Sequence, residues 1–471
     1  MVAARFRLIL PVIVLIAATW LLLNRNFKVQ PDHRNTAHIF MLTTLSVWNS
    51  DNPAIYHFAP VQTWPDAKKF NHYYKRLEDK KGNNYYVSHP PLAFIANYFI
   101  IKLFDLPINQ YSLQLILFFL LVLGALMLAW IVGQLSNESN YRFKNHIMLA
   151  AMAVYLLNPV NLFAHSYHNF SEIWGQFFLI LSIAAWIHYL HSGRVLISRI
   201  LLFLTTALLA STDWMGITFF AALILVYWKK LKTPHIRRGI LVAGSAITLF
   251  TVFVAIQYIS ITGSDAFFRA LGIRFLERSG YFGKGYTDMG YHILNPETWL
   301  LFLQQIHHVL VGPGYFVLAL FVVAAIFVHK TKLSSDSKIL SLSLFTALLF
   351  FAAVFSAGST HYIYTARFTP FLAIAVAHYY EKTCHCFKKK TWFIALFIVI
   401  MHPLGYWAIR EYKKQSYSQE SKQIQLNMAA HIMKEQKRDS IALNNNWEER
   451  DIIYLSWQSQ RNLVWIKTVE Q

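Results

Sequence analysis

Residues 31–48, PDHRNTAHIFMLTTLSVW, and residues 85–104, YYVSHPPLAFIANYFIIKLF, bound the stretch on which the reading of this chain turns. Between them lies the largest polar, aromatic-rich block in the first two-thirds of an otherwise apolar sequence. Pro90 and Pro91 fix φ and remove two donors, so the backbone must approach extended and then enter a helix at Pro91. That corner delivers Tyr86 and His89 to a defined place, and Ala93 to Phe104 continues as an amphipathic segment. At the other end Pro31 stops any helix one residue before Asp32. Ala37 to Val47 resumes an amphipathic pattern that would lie on a membrane.

Outward from this block, apolar runs of spanning length recur. The 471 residues are 56% hydrophobic and 16% aromatic, and the mean hydropathy is +0.36. A spanning helix needs roughly 20 mostly apolar residues because hydrocarbon offers its backbone no partner. The pattern predicts an all-α polytopic membrane protein. A barrel of alternating ten-residue strands is excluded. The net charge of +20 would suggest nucleic acid in a soluble chain, but here Lys and Arg sit at helix ends, where they set topology. Membrane lipids, not nucleic acid, are the expected surroundings.

Arg5 and Arg7 precede Leu8 to Leu23, read as an uncleaved first helix with its N-terminus inside. Basic residues then mark every second short loop: Arg142 and Lys144, Arg194 and Arg199, Lys229 to Arg238, Lys330 and Lys332, Lys382 to Lys390. The spans between them are Leu113–Leu135, Ile147–Phe163, Ile173–Leu190, Val195–Ala210, the helix after Asp213, Gly239–Ile261, Tyr315–Val328, Ile339–Ser356, Phe368–Tyr380 and Trp392–Ile409, about eleven with the first. This predicts a transmembrane domain over 1–410, with a long extracytoplasmic first loop over 25–111 that contains juxtamembrane helices. A second external loop covers 262–312, and a small external tail with a β-prone end covers 411–471. Cys384 and Cys386 beside His385 read as ordinary residues of a basic turn.

Carboxylates at the outer ends of membrane helices are costly unless they face water or a partner, which singles out Asp32, Glu172 and Asp213. A helix cap is the alternative reading of each, above all Asp213 after Ser211-Thr212. Arg367 sits at an outer helix end where the charge rule disfavours a cation, and anion binding is the simplest reason for it. Arg269 and Lys284 in the second external loop are candidates to help it.

An acidic residue after the first helix, a long external loop closing on Pro-Pro-Leu, an acidic residue in the next external turn and Arg-Phe-x-Pro near the end resemble the GT-C glycosyltransferases. The branch that looks most similar is that of protein O-mannosyltransferases and the lipid A aminoarabinose transferase, over Leu8 to about Ile409. The resemblance implies a polyprenyl-phosphate sugar donor and transfer with inversion to a glycan, lipid or protein. In residues, it implies Asp32 as base, Glu172 as a second acidic group, Arg367 on the lipid phosphate, and His89 with Pro90 shaping a substrate site. His33 stands where many relatives have a second acid. Asp32 and Glu172 together could hold a divalent cation, though no ligand spacing marks it. A polyprenyl-linked glycan ligase or polymerase is the runner-up, but its dominant loop should come late in the chain. A transporter should show two related halves and broken helices at mid-membrane, and neither stands out.

Overall fold

The computed structural model describes residues 11–21, 23, 36–65, 77–136, 141–192, 195–281, 292–309, 335–386, 442–443 and 464–465. Its helices are α1 (Pro11–Leu21), α2 (Thr36–Ser50), α3 (Leu92–Leu103), α4 (Gln110–Leu135), α5 (Tyr141–Leu156), α6 (Pro159–Tyr167), α7 (Ser171–His191), α8 (Val195–Thr212), α9 (Met215–Tyr227), α10 (Pro234–Thr262), α11 (Ser264–Ser279), α12 (Pro296–Val309), α13 (Ser335–Ala353), α14 (Phe355–Thr360) and α15 (Thr369–Cys386). In the tail, Ala442–Leu443 and Val464–Trp465 pair as two short parallel strands. Among the described residues three helices, α4, α7 and α10, are long and apolar enough to span a membrane, and α5 with α6 makes a fourth if the bent pair is one span. The expected spans Tyr315–Val328 and Trp392–Ile409 lie outside the described residues.

The bundle is held by α7 against α8, α8 against α10, α4 against α5, α13 against α9 and α15 against α5. The expected span Ile147–Phe163 is broken: α5 and α6 meet at 55°. Pro159 cannot donate into a continuing helix, and the Asn158 side chain accepts from Val160 N at 3.0 Å, so one helix ends and another starts.

Residues 36–65 and 77–109 pack onto this bundle, with α3 against α4, α7 and α8. Helix α2 does not lie on a membrane surface as its pattern suggested: Ile39, Met41, Leu42, Leu45, Val47 and Trp48 are all fully buried. Apolar on every side, it belongs inside protein. Helix α3 does keep an exposed apolar face, Phe99, Leu103 and Phe104, while Ala93, Phe94, Asn97 and Ile101 face inward. Between the two helices the backbone pairs Val61 with Tyr85 and Glu78 with Asn84. The tip is an Asp79 turn in which the carboxylate accepts from Lys81 N (2.8 Å), Asn83 N (2.9 Å), Asn83 Nδ2 (2.8 Å) and the Tyr85 hydroxyl (2.9 Å). Gly82 closes that turn at φ 80°.

Candidate active site

His89 is the meeting point. Its backbone is pinned on the N-terminal side by two bonds from the bundle: Tyr258 of α10 donates to Tyr86 O at 2.7 Å, and Trp214 Nε1 donates to Ser88 O at 2.9 Å. Pro90 and Pro91 then lead into α3, which begins at Leu92 with Pro91 as its cap residue. The ring is buried, stacked on Tyr86 and edge-on to Phe170.

Two carboxylates flank the imidazole. Glu172, in the first turn of α7, places Oε1 3.1 Å from His89 Nε2, and its Oε2 lies 3.3 Å from His168 Nε2. An acid there also complements the positive end of the helix. On the other side Asp213 Oδ1 is 3.7 Å from His89 Nδ1, and Asp213 Oδ2 accepts from Arg367 Nη2. Asp213 also accepts from Met215 N at 3.3 Å, so the cap reading and the charge reading both hold. Burial opposes its ionisation, yet the Arg367 charge and His89 together hold the carboxyl below its usual range. Gly175 makes this approach possible: a Cβ there would come within 2.8 Å of Asp213 Cβ.

Arg367 is carried by the short 3₁₀ segment Tyr362–Phe368. Gln176 fixes that segment: its Nε2 lies 2.7 Å from Ala366 O, 2.7 Å from Thr369 Oγ1 and 3.0 Å from Asn161 Oδ1, within reach of all three for its two N–H groups. The guanidinium lies 3.9 Å from the Phe350 ring centre and 4.8 Å from that of Tyr364. Its Nε and Nη1 are buried without a hydrogen-bond partner among the described residues, donors that a ligand would satisfy.

A second guanidinium closes the cluster. Arg278, at the end of α11, donates to the Tyr364 hydroxyl at 2.8 Å and the Tyr86 hydroxyl at 3.3 Å, and its Nη1 is 2.9 Å from His89 Nε2. Burial pushes the Tyr86 phenol well above its usual value, so it stays a neutral hydroxyl. His89 Nε2 cannot donate to Glu172 and accept from Arg278 at once. The proton on this nitrogen therefore decides which partner His89 holds.

Of the residues singled out in sequence, His89, Pro90, Tyr86, Glu172, Asp213 and Arg367 come together. Asp32, His33 and Lys284 lie outside the described residues. Arg269 does not join the cluster: it is exposed, half a turn from Arg278 after nine residues at ~100° each. The spacing Phe267, Ala270, Arg274, all three buried, continues to Arg278 and selects Arg274 and Arg278, not Arg269, as the inward cations of that helix. His168, Trp214, Tyr258, Gly175 and Tyr364 carry no comparable signal. Glu172 and Asp213 are turned to His89 and Arg367, and among the described residues no group of three or more His, Cys, Asp or Glu is arranged to hold a metal ion.

The family model of PIG-U, the GPI transamidase subunit, matches residues 60–277. No curated protein matches the chain. Among solved structures, the oligosaccharyltransferase of Archaeoglobus fulgidus in complex with Zn and sulfate aligns over 98% of this chain and 62% of its own, with a TM-score of 0.60 at 11% identity. The same archaeal enzyme, AglB, with an inhibitory peptide and a dolichol-phosphate gives 0.60 at 10% identity over 98% of this chain and 64% of its own. ArnT from Cupriavidus metallidurans bound to undecaprenyl phosphate gives 0.60 at 10% identity over 98% of this chain and 86% of its own. The chain thus spans 62% of the length of the archaeal enzyme as first matched. Matched along nearly its whole length to the archaeal oligosaccharyltransferase and to ArnT, this protein shares their GT-C fold.

Proposed function

We propose that the chain is a membrane glycosyltransferase that moves a sugar from a polyprenyl-phosphate carrier to an acceptor hydroxyl with inversion, at the extracytoplasmic face of the plasma membrane. The observation that carries this reading is the convergence of Glu172, Asp213, Arg278 and Arg367, from four separate segments, on His89 at the mouth of α3. The phosphate-carried sugar is already activated, so the protein must deprotonate the acceptor and receive negative charge. The acceptor oxygen attacks the anomeric carbon from the face opposite the phosphate. The carbon–oxygen bond to phosphate breaks, its electron pair leaves with the phosphate, and the acceptor proton passes to a base.

Asp32 is our candidate base. Arg278 receives the phosphate, exchanging neutral tyrosine partners for a charge-assisted, two-pronged contact. When Arg278 leaves His89, Nε2 takes up a proton, from solvent or from Nδ1 by tautomerisation, and donates it to Glu172, so donor arrival and the setting of the histidine are coupled. Arg367 acts from below, holding Asp213 ionised against His89, with its two unused donors the second contact for the phosphate. Two proteins of the same fold support a polyprenyl-phosphate donor: ArnT was solved bound to undecaprenyl phosphate, and AglB in complex with a dolichol-phosphate. The acceptor is a glycan, lipid or protein.

The PIG-U match favours a second reading, a subunit that presents a lipid-linked glycan to a partner enzyme. Purified protein in nanodiscs, given the lipid-linked sugar that accumulates when the gene is removed, separates the two. A transferase turns over alone. Asp32→Asn should then lower turnover by about 10²–10⁴-fold with donor affinity intact. Arg278→Ala should weaken donor binding by roughly ten- to a hundred-fold, the effect of losing a contact worth ~1.5–3 kcal/mol, while Arg269→Ala leaves it unchanged. Donor binding without turnover in the wild type would favour the subunit reading.

A further inference from the structure

The two ring nitrogens of His89 face two carboxylates: Glu172 Oε1 is 3.1 Å from Nε2, and Asp213 Oδ1 is 3.7 Å from Nδ1. Only the imidazolium offers an N–H to each of them. While Arg278 donates to Nε2, the ring is neutral and carries its proton on Nδ1, towards Asp213. The flanking acids are therefore arranged for a cation that forms once Arg278 has left. The ring must then gain a proton, and its side chain has no exposed surface through which water could supply one.

Glu172 links that ring to a wetter one. Its Oε2 lies 3.3 Å from His168 Nε2, and side-chain exposure rises along the chain of contacts, from 0% at His89 through 5% at Glu172 to 16% at His168. Phe170, itself buried, stands edge-on to both imidazoles and offers neither a polar atom. His168 is held in place by buried structure. It caps α6, its N–H bonding Ala164 O at 2.9 Å. The next residue, Asn169, donates to Asn97 Oδ1 of α3 at 3.1 Å and to Leu113 O of α4 at 3.0 Å, and Asn97 Nδ2 donates back to Asn169 Oδ1 at 2.8 Å. An imidazole is the side chain that takes and gives protons near neutrality. His361 lies within range of the charges on Glu172 and His168, but its Nδ1 is engaged with Thr360 Oγ1 at 2.8 Å. Tyr86 is a neutral hydroxyl, and an arginine does not give up its proton.

We propose that His168 is a positioning residue of the transfer reaction: it delivers to His89, through Glu172, the proton that His89 needs when Arg278 turns to the donor phosphate. His168 Nε2 gives its proton to Glu172 Oε2. The carboxyl turns about its Cγ–Cδ bond and releases the proton to His89 Nε2, onto the lone pair that Arg278 has vacated. Glu172 is a carboxylate again, His89 is an imidazolium between two acids, and water returns a proton to His168. The proposal rests on the reading of Arg278 as the group that receives the phosphate. It gives a role to a residue that the transfer chemistry otherwise leaves unused, and it makes the source of the His89 proton the bulk water outside Glu172.

The first test needs no donor. Arg278→Met leaves His89 Nε2 without its guanidinium, and nitrogen NMR of the histidine-labelled full chain in nanodiscs follows exchange of the Nε2 proton with water, the His89 signal being assigned by its loss in His89→Gln. Adding His168→Gln, whose amide can still donate to Glu172, should slow that exchange by about 10²-fold with the melting temperature level. Free imidazole should restore the rate in His168→Ala. Unchanged exchange, slowing that imidazole does not rescue, or the same slowing from His361→Gln overturns the proposal. In the second test undecaprenyl phosphate is mixed with wild-type protein in weak buffer containing a pH dye. It should draw in one proton more per bound molecule than in His89→Gln. Equal uptake in the two also overturns the proposal, whereas absence of binding counts against the donor reading and leaves the exchange experiment to decide.

Discussion

Asp213 and Arg367 are both closed to solvent, so neither charge can be deleted without stranding the other. Arg367→Met should destabilise the protein by about 3–5 kcal/mol, read as a lowered melting temperature in detergent. The double variant Asp213→Leu with Arg367→Met should recover most of that loss, because a buried pair repays its desolvation only while both members are present. Additive losses in the double variant would mean that the pair is not the reason for the burial. Glu172, Asp213 and Arg367 were legible in the sequence because each is a charge at the end of an apolar run, a place that demands a partner. What the sequence did not supply was the pairing. The position of Arg367 suggests an anion, and the fold supplies one in Asp213, 154 residues away. Arg278 needs more than a count of the charges in that segment, because such a count ignores which face of a helix each one occupies.

At the level of elements, the Asp79 turn gives the first loop a pH limit. Partial burial alone would raise the Asp79 carboxyl, but the bonds from Asn83, Tyr85 and Lys81 outweigh it and hold the group below its ordinary value of 3.8. A depressed carboxyl stabilises fully above its unfolded value and loses that contribution as pH falls through the folded one. Amide exchange at Lys81 and Asn83, corrected for intrinsic rate, should therefore stay slow down to about pH 4 and accelerate below it, and Asp79→Asn should abolish the step. The loop-to-helix corner at Pro90-Pro91 and the apolar face of α3 were readable because proline and amphipathic spacing act locally. The burial of α2 and the 55° break between α5 and α6 were not. A helix apolar on all sides can lie in lipid or in protein, and only the tertiary neighbours decide. The Asn158-Pro159 pair did mark the break, inside a run otherwise long enough to cross unbroken.

Across the whole molecule, Glu172, Asp213, His89, Arg278 and Arg367 gather at one end of the bundle. Lys229, Lys230 and Lys232 follow the opposite end of α9, and Arg237 and Arg238 begin α10. The charge rule predicts that this basic end faces the cytoplasm. Single cysteines at Gly82 and Ser335 should accordingly divide: an impermeant maleimide labels the first in intact cells and the second only after lysis. Labelling in the reverse order would move the site to the other side of the membrane.

The long sequence separations within the site have a cost in time. His89 meets Arg278 across 189 residues and Asp213 meets Arg367 across 154. At roughly 5–20 residues per second, a ribosome takes on the order of ten seconds to supply Arg367 after Asp213 has emerged. During that interval an acidic side chain waits at the end of an inserted helix with its counter-charge not yet made. A nascent chain halted at residue 360 should therefore be a preferred substrate for membrane quality-control proteases, and Asp213→Asn should prolong its half-life while shortening that of the finished protein. The carboxylate that anchors the completed site is, for those seconds, its most exposed weakness.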